Sequence, residues 1–262
     1  MNHFKEQPVS EAAEPSTPHA GRMYDYVIGG THNFQVDRIA AEQFVKLVPS
    51  VPLAAQQNRS FLKVAAEWWR RDGIDRVLDL GSGLPTQGHL NEYMPEAQIL
   101  YTDRDALTVG YGRKILNGHD GHEYLELDVS HTESLGAAVS QEFGDNPRLG
   151  IGFIGLSYFF SDEAIRELAR TLYSLSAPDS VLAMTLLYAT DEETAASLAA
   201  EYARVIKSDL YLRAPDELPV LLAPWEVVSS RQVQRYAREG DSLTAEPQDG
   251  GLEMHGVFAI HR

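Results

Sequence analysis

Apolar and polar positions change rhythm along this chain. From Phe34 to Val48 the apolar residues Phe34, Ile39, Ala41, Phe44, Val45 and Val48 recur on one side of a helix, and Pro49 and Pro52 break that run. A second helix is predicted over about Leu53 to Arg71. There Phe61, Ala65 and Trp68 fall at i, i+4 and i+7, Leu62 and Trp69 widen the face, and Gly73 ends it. Trp68 and Trp69 read as core residues.

Beyond Gly73 short apolar runs alternate with helical ones. RVLDLG predicts a first strand and Leu84 to Tyr93 its helix; AQILYTD predicts a second strand and Arg104 to Leu116 the next helix. YLELDV predicts a third strand, with Ser130 and Glu133 spaced as a capping box for a helix ending near Gly144. LGIGFIGL is a fourth strand, followed by a helix over Asp162 to Leu175. SVLAMTLLY is a fifth, and Thr190 with Glu193 forms a second box opening a helix that ends near Lys207. WEVVSS and HGVFAI read as late strands, an antiparallel hairpin at one sheet edge, after a long loop around RAPDELPVLLAPW. This alternation implies right-handed crossovers and an α/β fold with a doubly wound, mainly parallel Rossmann-like sheet.

Composition narrows the class. A chain of 262 residues with 44% hydrophobic and 23% charged residues suits one α/β domain. A formal charge of −16 opposes long polyanions and anionic membranes, so a small-molecule substrate is expected, with no nucleic-acid or membrane partner. The pattern specifies no oligomeric state. There is no cysteine, which removes disulfides, thiolate metal sites and cysteine nucleophiles and suits a cytoplasmic setting. No apolar run approaches the roughly 18 residues of a membrane span, and the amino terminus lacks the blocks of a signal peptide. Residues 1–22, rich in Pro, Ser, Glu and Ala, are expected to form a mobile tail, residues 23–72 a helical lid, and residues 73–262 the Rossmann-like domain.

The candidate chemistry centres on VLDLGSGLPT, Val77 to Thr86. Gly81 and Gly83 follow the first strand, where backbone without Cβ atoms can approach a ligand. Asp103 closes the second strand, placed to accept ribose hydroxyls, and Asp128 ends the third, within reach of an adenine amino group. A dinucleotide site normally carries a third glycine in this turn. Pro85 has no N–H and makes a pyrophosphate cradle worse. A nucleoside ligand without pyrophosphate, S-adenosylmethionine, suits the spacing better. The competing readings are an ordinary strand-to-helix turn with solvated acids and a P-loop; the latter fails because no G-K-[ST] follows.

Four blocks, MYDYVIGGTHNFQVDR, QQNRSFL, LDLGSGLPTQGHLNE and ILYTDRD, span Met23 to Asp105. In their order and spacing the chain resembles the actinobacterial-type S-adenosylmethionine-dependent methyltransferase family, once catalogued as a domain of unknown function. That family's own version of the turn, G-[ST]-G-[LI]-P-T, accounts for Pro85. Past Asp105 the resemblance rests on strand order and on Pro224–Trp225. It implies a class I methyltransferase fold in which Gly81, Ser82 and Gly83 line the methionine part of the cofactor. Asp103, with Arg104 beside it, would hold the ribose, and Asp128 with Val129 the adenine. YDYVIGGTHNF would fold over the cofactor, bringing Tyr24, Gly29, Gly30 and Asn33 near it, with Asn58 and Arg59 fixing this lid and Arg59 facing the cofactor carboxylate. Read alone, Gly29–Gly30 is a flexible turn, Tyr24 and Tyr26 are packing residues, and Arg59 could pair with Asp37 or Asp25.

In such folds the acceptor sits past the fourth strand, here GLSYFFSD, where many relatives carry a histidine four residues before the acid. This chain has Tyr158, four before Asp162. Tyrosine, with a reference pKa near 10, is a poor general base at neutral pH. Its ring can face a sulfonium and its hydroxyl can orient an acceptor; packing among Phe159 and Phe160 is the plainer alternative. Of the nine histidines, His32 in the lid and His89 after the turn are the nearest candidate bases, unless both simply sit at the surface. His119 and His122 lack a third ligand, so no metal is expected. The expectation is therefore a methyltransferase acting on a small molecule. Two readings stay open beside it: aminocarboxypropyl transfer or internal cyclisation releasing methylthioadenosine, and a cofactor-binding sensor without turnover.

Overall fold

The computed structural model describes residues 15–86, 88–206, 208–236 and 252–262. Residues 1–14 of the expected tail, and Lys207 at the expected end of a helix, lie outside the described residues. The last residues of that segment, 20–22, belong to helix α1, which spans Ala20–Val27 and buries Arg22. Helix α2 spans Gln35–Leu47, as its pattern predicts. Helix α3, Val51–Arg71, starts earlier than predicted, because Pro52 occupies its first turn, where a missing N–H costs nothing. Its innermost stripe is Phe61, Ala65 and Trp69, all fully buried. Trp68 is half-buried; its ring lies 4.2 Å from that of Phe258 and its N–H donates to Asp72 at 2.8 Å.

Seven strands follow: β1 (Arg76–Asp79), β2 (Gln98–Asp103), β3 (His122–Glu126), β4 (Gly150–Phe153), β5 (Val181–Ala189), β6 (Glu226–Gln232) and β7 (Leu252–Ile260). They form one sheet in the order β3-β2-β1-β4-β5-β7-β6. The first five are parallel; β7 runs antiparallel to β5, and β6 pairs antiparallel with β7 at the edge. Leu78 is in register with Leu100 on one side and Ile151 on the other. Alternation along β1 and β2 sends Val77, Ile99 and Tyr101 to a core shared with α3, and Leu78, Leu80 and Leu100 to the opposite core. That second core is closed by α6 (Thr132–Phe143) and α7 (Asp162–Leu175).

The sheet winds outward from β1 to β3, then returns to place β4 against the other side of β1. Such a reversal leaves a crevice beyond the carboxyl ends of β1 and β4.

Several boundaries differ from expectation for local reasons. After β1 no helix begins at Leu84; α4 covers only Leu90–Tyr93. Gly81, Gly83 and Gly88 all take positive φ (61°, 63° and 70°), and Pro85 keeps the residue before it out of the helical region. Strand β3 lies two residues upstream of its predicted start, and the backbone N–H of Leu127 closes the ladder on the Asp103 carbonyl. Ser130 is not a helix cap: its N–H and hydroxyl both donate to Asp128, forming a turn before α6. Helix α5 (Ala106–Ile115) starts after Asp105, which caps it by accepting from the N–H of Thr108 at 3.0 Å. Helix α8 (Glu192–Ile206) is capped by Asp191, not Thr190, through Thr194. The long loop holds a short helix, α9 (Leu218–Leu221), and buries Trp225, whose N–H donates to the Ala169 carbonyl at 2.8 Å.

Two glycines of α5 separate the steric from the helical cost of that residue. A Cβ at Gly112 would lie 2.2 Å from the Tyr124 ring, whereas at exposed Gly110 it meets nothing within 4 Å. Gly110→Ala is expected to stabilise by about 1 kcal/mol, raising Tm by roughly 2–4 °C. Gly112→Ala is expected to lower stability by about 2 kcal/mol, because the ring must move. Thermal unfolding of the two variants checks both signs.

Candidate active site

The turn after β1 is tied to the end of β2 by hydrogen bonds. The N–H of Ser82 donates to the Thr102 carbonyl at 2.7 Å, the Ser82 hydroxyl to the Asp79 carbonyl at 2.9 Å, and the N–H of Gly83 to the Asp103 carboxylate at 3.1 Å. Tyr124 of β3 donates its hydroxyl to the Gly83 carbonyl at 2.5 Å. A Cβ at Gly81 would lie 2.6 Å from Leu156, so only glycine fits there. The other Asp103 oxygen accepts from the N–H of Asp105 at 2.9 Å, and burial pushes the Asp103 carboxyl above its usual range. Burial acts likewise on Asp128, but the two hydrogen bonds from Ser130 and the charge of Arg104 outweigh it and hold that carboxyl low.

Above this turn lies a cavity of about 410 Å³. Of the expected cofactor residues, Tyr24, Arg59, Gly81, Ser82, Gly83, Asp103, Arg104, Asp128 and Val129 line it, and Tyr158 stands in its wall. Gly29, Gly30, His32 and Asn33 are not brought to it. Their loop wraps around Asp25 instead: the carboxylate accepts from the His32 N–H at 2.8 Å and the Asn33 amide at 2.9 Å. The N–H of Gly30 donates to the Asp25 carbonyl, where a Cβ would sit 2.0 Å from the Asp25 carboxylate. Asp25 is buried and needs these donors, and the loop then rests His32 on Tyr111 of α5, with ring centroids 5.2 Å apart. The expected catalytic position for His32 is thus not realised in this arrangement.

Two lining residues carry more than their sequence positions suggested. Asp79 ends β1 just before the glycines, and its Oδ2 is buried without a hydrogen-bond partner among the described residues. Burial raises its pKa to about 7, against the lowering influence of Ser82 and Arg59. The sequence signal was an acid closing an apolar strand ahead of the turn, to which no role had been attached. Arg59 pairs with neither Asp37 nor Asp25; it donates to the Leu84 carbonyl at 3.0 Å, lies over the Tyr24 ring, and keeps Nε buried without a hydrogen-bond partner among the described residues. His89 Nε2 faces the Ser82 carbonyl at 3.2 Å, so that nitrogen carries the proton. Burial first, and the Arg59 charge second, hold His89 well below its ordinary pKa, so it is neutral at pH 7.

At the far side Tyr158 sits in a single 3₁₀ turn after β4. Its hydroxyl accepts from the Asn58 amide at 3.2 Å; the Asn58 oxygen accepts from Thr185 of β5 at 2.8 Å, and Thr185 accepts from the N–H of Gly155. Burial raises the pKa of Tyr158, which removes it as a base at neutral pH. Among the described residues no group of three or more His, Cys, Asp or Glu could hold a metal, and no helix is long and apolar enough to cross a membrane.

The model of the S-adenosyl methyltransferase family matches residues 6–261. The chain belongs to that family. The match extends over nearly the whole chain, well beyond the Met23–Asp105 blocks, and makes S-adenosylmethionine the cofactor of this transferase. Solved structures agree in fold. A Thermobifida fusca protein assigned as a methyltransferase superposes with a TM-score of 0.85 at 24% identity, covering 95% of this chain and 97% of that one. A DUF574 family protein from Streptomyces avermitilis gives 0.81 at 24%, covering 94% and 98%. The magnesium protoporphyrin IX methyltransferase of Synechocystis, solved with S-adenosylhomocysteine, gives 0.56 at 10%, covering 92% and 93%. No curated protein matches the sequence. The methyltransferase fold here is the class I arrangement, its sheet carrying the antiparallel β7 between β5 and β6.

In this methyltransferase a buried cation ties together the N-terminal cap, helices α1 and α2. Buried Arg22 donates to Asp37 at 2.9 Å and to Asp105 at 3.1 Å, bridging α1, α2 and the residue that caps α5. Arg22→Ala leaves the fully buried Asp37 carboxylate with the backbone N–H groups of His19 and Phe34 but without its counter-charge, and is expected to cost about 3 kcal/mol of stability. Arg22→Lys is expected to recover only part, since a single ammonium cannot fork between two carboxylates. Urea unfolding measures both.

Proposed function

We propose that this protein binds S-adenosylmethionine in the 410 Å³ cavity and transfers its methyl group to a small molecule. One observation carries the reading. Among the described residues the cavity wall buries two polar atoms without a hydrogen-bond partner, the carboxylate oxygen Asp79 Oδ2, which lies 3.7 Å from the Nε2 of neutral His89, and the guanidinium nitrogen Arg59 Nε. Buried polar atoms are costly unless paired, and this set is the complement of an amino acid's ammonium and carboxylate. Asp79 would take the ammonium and Arg59 the carboxylate of the cofactor. Gly81 to Gly83 would lie along its methionine arm, Asp103 at the ribose and Asp128 with Val129 at the adenine. When bound, the cofactor supplies an electrophilic methyl carbon on a sulfonium.

The protein's part is alignment and exclusion of water. Tyr158 keeps its proton and serves as a hydrogen-bonding orienter of the acceptor, held by Asn58. Neutral His89 keeps its Nε2 proton on the Ser82 carbonyl and stiffens the turn. The charge of −16 supports a small acceptor over a nucleic acid. Space continuing beyond Tyr158 favours a separate acceptor over internal cyclisation of the cofactor.

Asp79 sets a pH dependence. Its carboxylate form holds the ammonium, and with a pKa of about 7 that form is lost as pH falls through neutrality. Affinity for S-adenosylhomocysteine, measured by calorimetry, is expected to fall about tenfold from pH 8 to pH 6. Asp79→Asn is expected to bind weakly with no such slope and to keep or raise Tm, since the amide escapes the carboxylate's desolvation. A wild-type affinity flat across this range would count against the assignment.

Tyr158→Phe is expected to lower turnover at least tenfold while changing S-adenosylhomocysteine affinity less than threefold. Chromatography of the products separates the chemistries: S-adenosylhomocysteine marks methyl transfer, and methylthioadenosine marks loss of the aminocarboxypropyl arm.

A further inference from the structure

A second cavity of about 120 Å³ lies behind Tyr158. Its walls are Met23 and Val27 of α1, Ala41 and Phe44 of α2, and side chains of α3, α8, β5 and β7 such as Leu198 and Met254. Among the described residues no charged side chain lines it; the polar residues are Tyr24, Asn58, Tyr158 and Tyr202. Of these, Tyr24, Asn58 and Tyr158, together with Ala20 and Phe159, also line the cofactor cavity. The two spaces therefore share one wall, and that wall holds the polar side chains of the second cavity other than Tyr202.

We propose that this chamber holds the body of the methyl acceptor, and that the acceptor is a single uncharged ring carrying one polar group. The inference rests on the cofactor reading above, since it places the acceptor beside the cavity assigned there.

Size and chemistry select this class. An apolar cavity of about 150 Å³ is known to hold a benzene molecule, so a space of this order is matched to one ring and is small for a fused ring system. A carboxylate or ammonium inside would lie among Met23, Phe44 and Leu198 with no counter-charge, a cost of several kcal/mol. A ring seated in the chamber presents its polar substituent to the shared wall. There the Asn58 amide already donates to Tyr158, and the Tyr158 proton finds no acceptor among the described residues. A hydroxyl arriving at the wall accepts that proton in a hydrogen bond and faces the cofactor cavity. As its O–CH3 bond forms and the cofactor's S–CH3 bond breaks, S-adenosylhomocysteine is the leaving group and the hydroxyl proton passes to solvent through the cofactor cavity. The cap helices thus provide a selectivity chamber as well as cover.

Calorimetry on the protein loaded with S-adenosylhomocysteine tests this with 4-methylphenol, 4-hydroxybenzoate and 2-naphthol as probes. In wild type, 4-methylphenol is expected to bind at least tenfold more tightly than either of the others. Ala41→Phe, which fills the chamber, is expected to weaken 4-methylphenol at least tenfold while S-adenosylhomocysteine affinity changes less than twofold. Should Ala41→Phe fail to fold, Leu198→Ala decides: the enlarged chamber is expected to bind 2-naphthol at least fivefold better than wild type does. Equal binding of 4-methylphenol and 4-hydroxybenzoate overturns the proposal, as does 4-methylphenol binding that survives Ala41→Phe. Failure of 4-methylphenol to bind the loaded protein overturns the chamber alone. Failure of S-adenosylhomocysteine to bind overturns the cofactor reading and the chamber with it.

Discussion

The hydrogen-bonded splice between the turn after β1 and the end of β2 is the constraint from which the site follows. Ser82 and Gly83 have no strand partners of their own, yet their N–H groups are spent on Thr102 and Asp103. Tyr124 locks the same turn from β3 by holding the Gly83 carbonyl. These bonds keep open the crevice that strand reversal creates between β1 and β4. They also set Asp79 and Asp103 on one wall, where burial raises the pKa of both carboxyls. A flexible turn would let water in and relieve both acids. The rigid one holds them poised for a ligand that brings its own positive charge and hydroxyl groups.

The helical cap depends on the same corner. Asp105 caps α5 and accepts from Arg22, and Arg22 in turn satisfies the buried Asp37 at the start of α2. Tyr24 donates to the Ala55 carbonyl at 2.8 Å, which sets its ring between the two cavities. Cap and sheet are thus joined through buried polar contacts beside the cofactor cavity, and α3 adds a large apolar contact through Phe61 and Trp69.

Tyr158 draws its role from what surrounds it. A buried chain runs from Gly155 through Thr185 and Asn58 to its hydroxyl, linking β4, β5 and α3. Burial makes that hydroxyl hold its proton more firmly than free tyrosine does. The proposed role, orienting an acceptor without deprotonating it, follows from this, and the apolar space behind the ring would solvate a charged acceptor poorly.

Local pattern determined much of this protein. Helical and strand periods specified the parallel sheet, the edge hairpin and helix α7 almost to the residue, because those elements bury one face each and carry that burial in their spacing. The glycine turn, Asp103 and Asp128 were legible for a similar reason: strand ends in such a sheet converge on one crevice. Boundaries set by competing hydrogen bonds were not legible. Ser130 and Thr190 had the spacing of caps, but Asp128 drew Ser130 into a turn and Asp191 capped α8. Nor did the GGTHN loop reveal that it folds around Asp25, since a buried acid recruits donors by proximity in space. The sequence by itself determined the sheet, the cofactor turn and the family. Only the tertiary structure decided that Asp79 and Arg59 face the cavity with unpaired atoms and that an apolar chamber lies behind Tyr158. Burial and orphaned polar groups arise from packing between distant segments, and no local pattern encodes them.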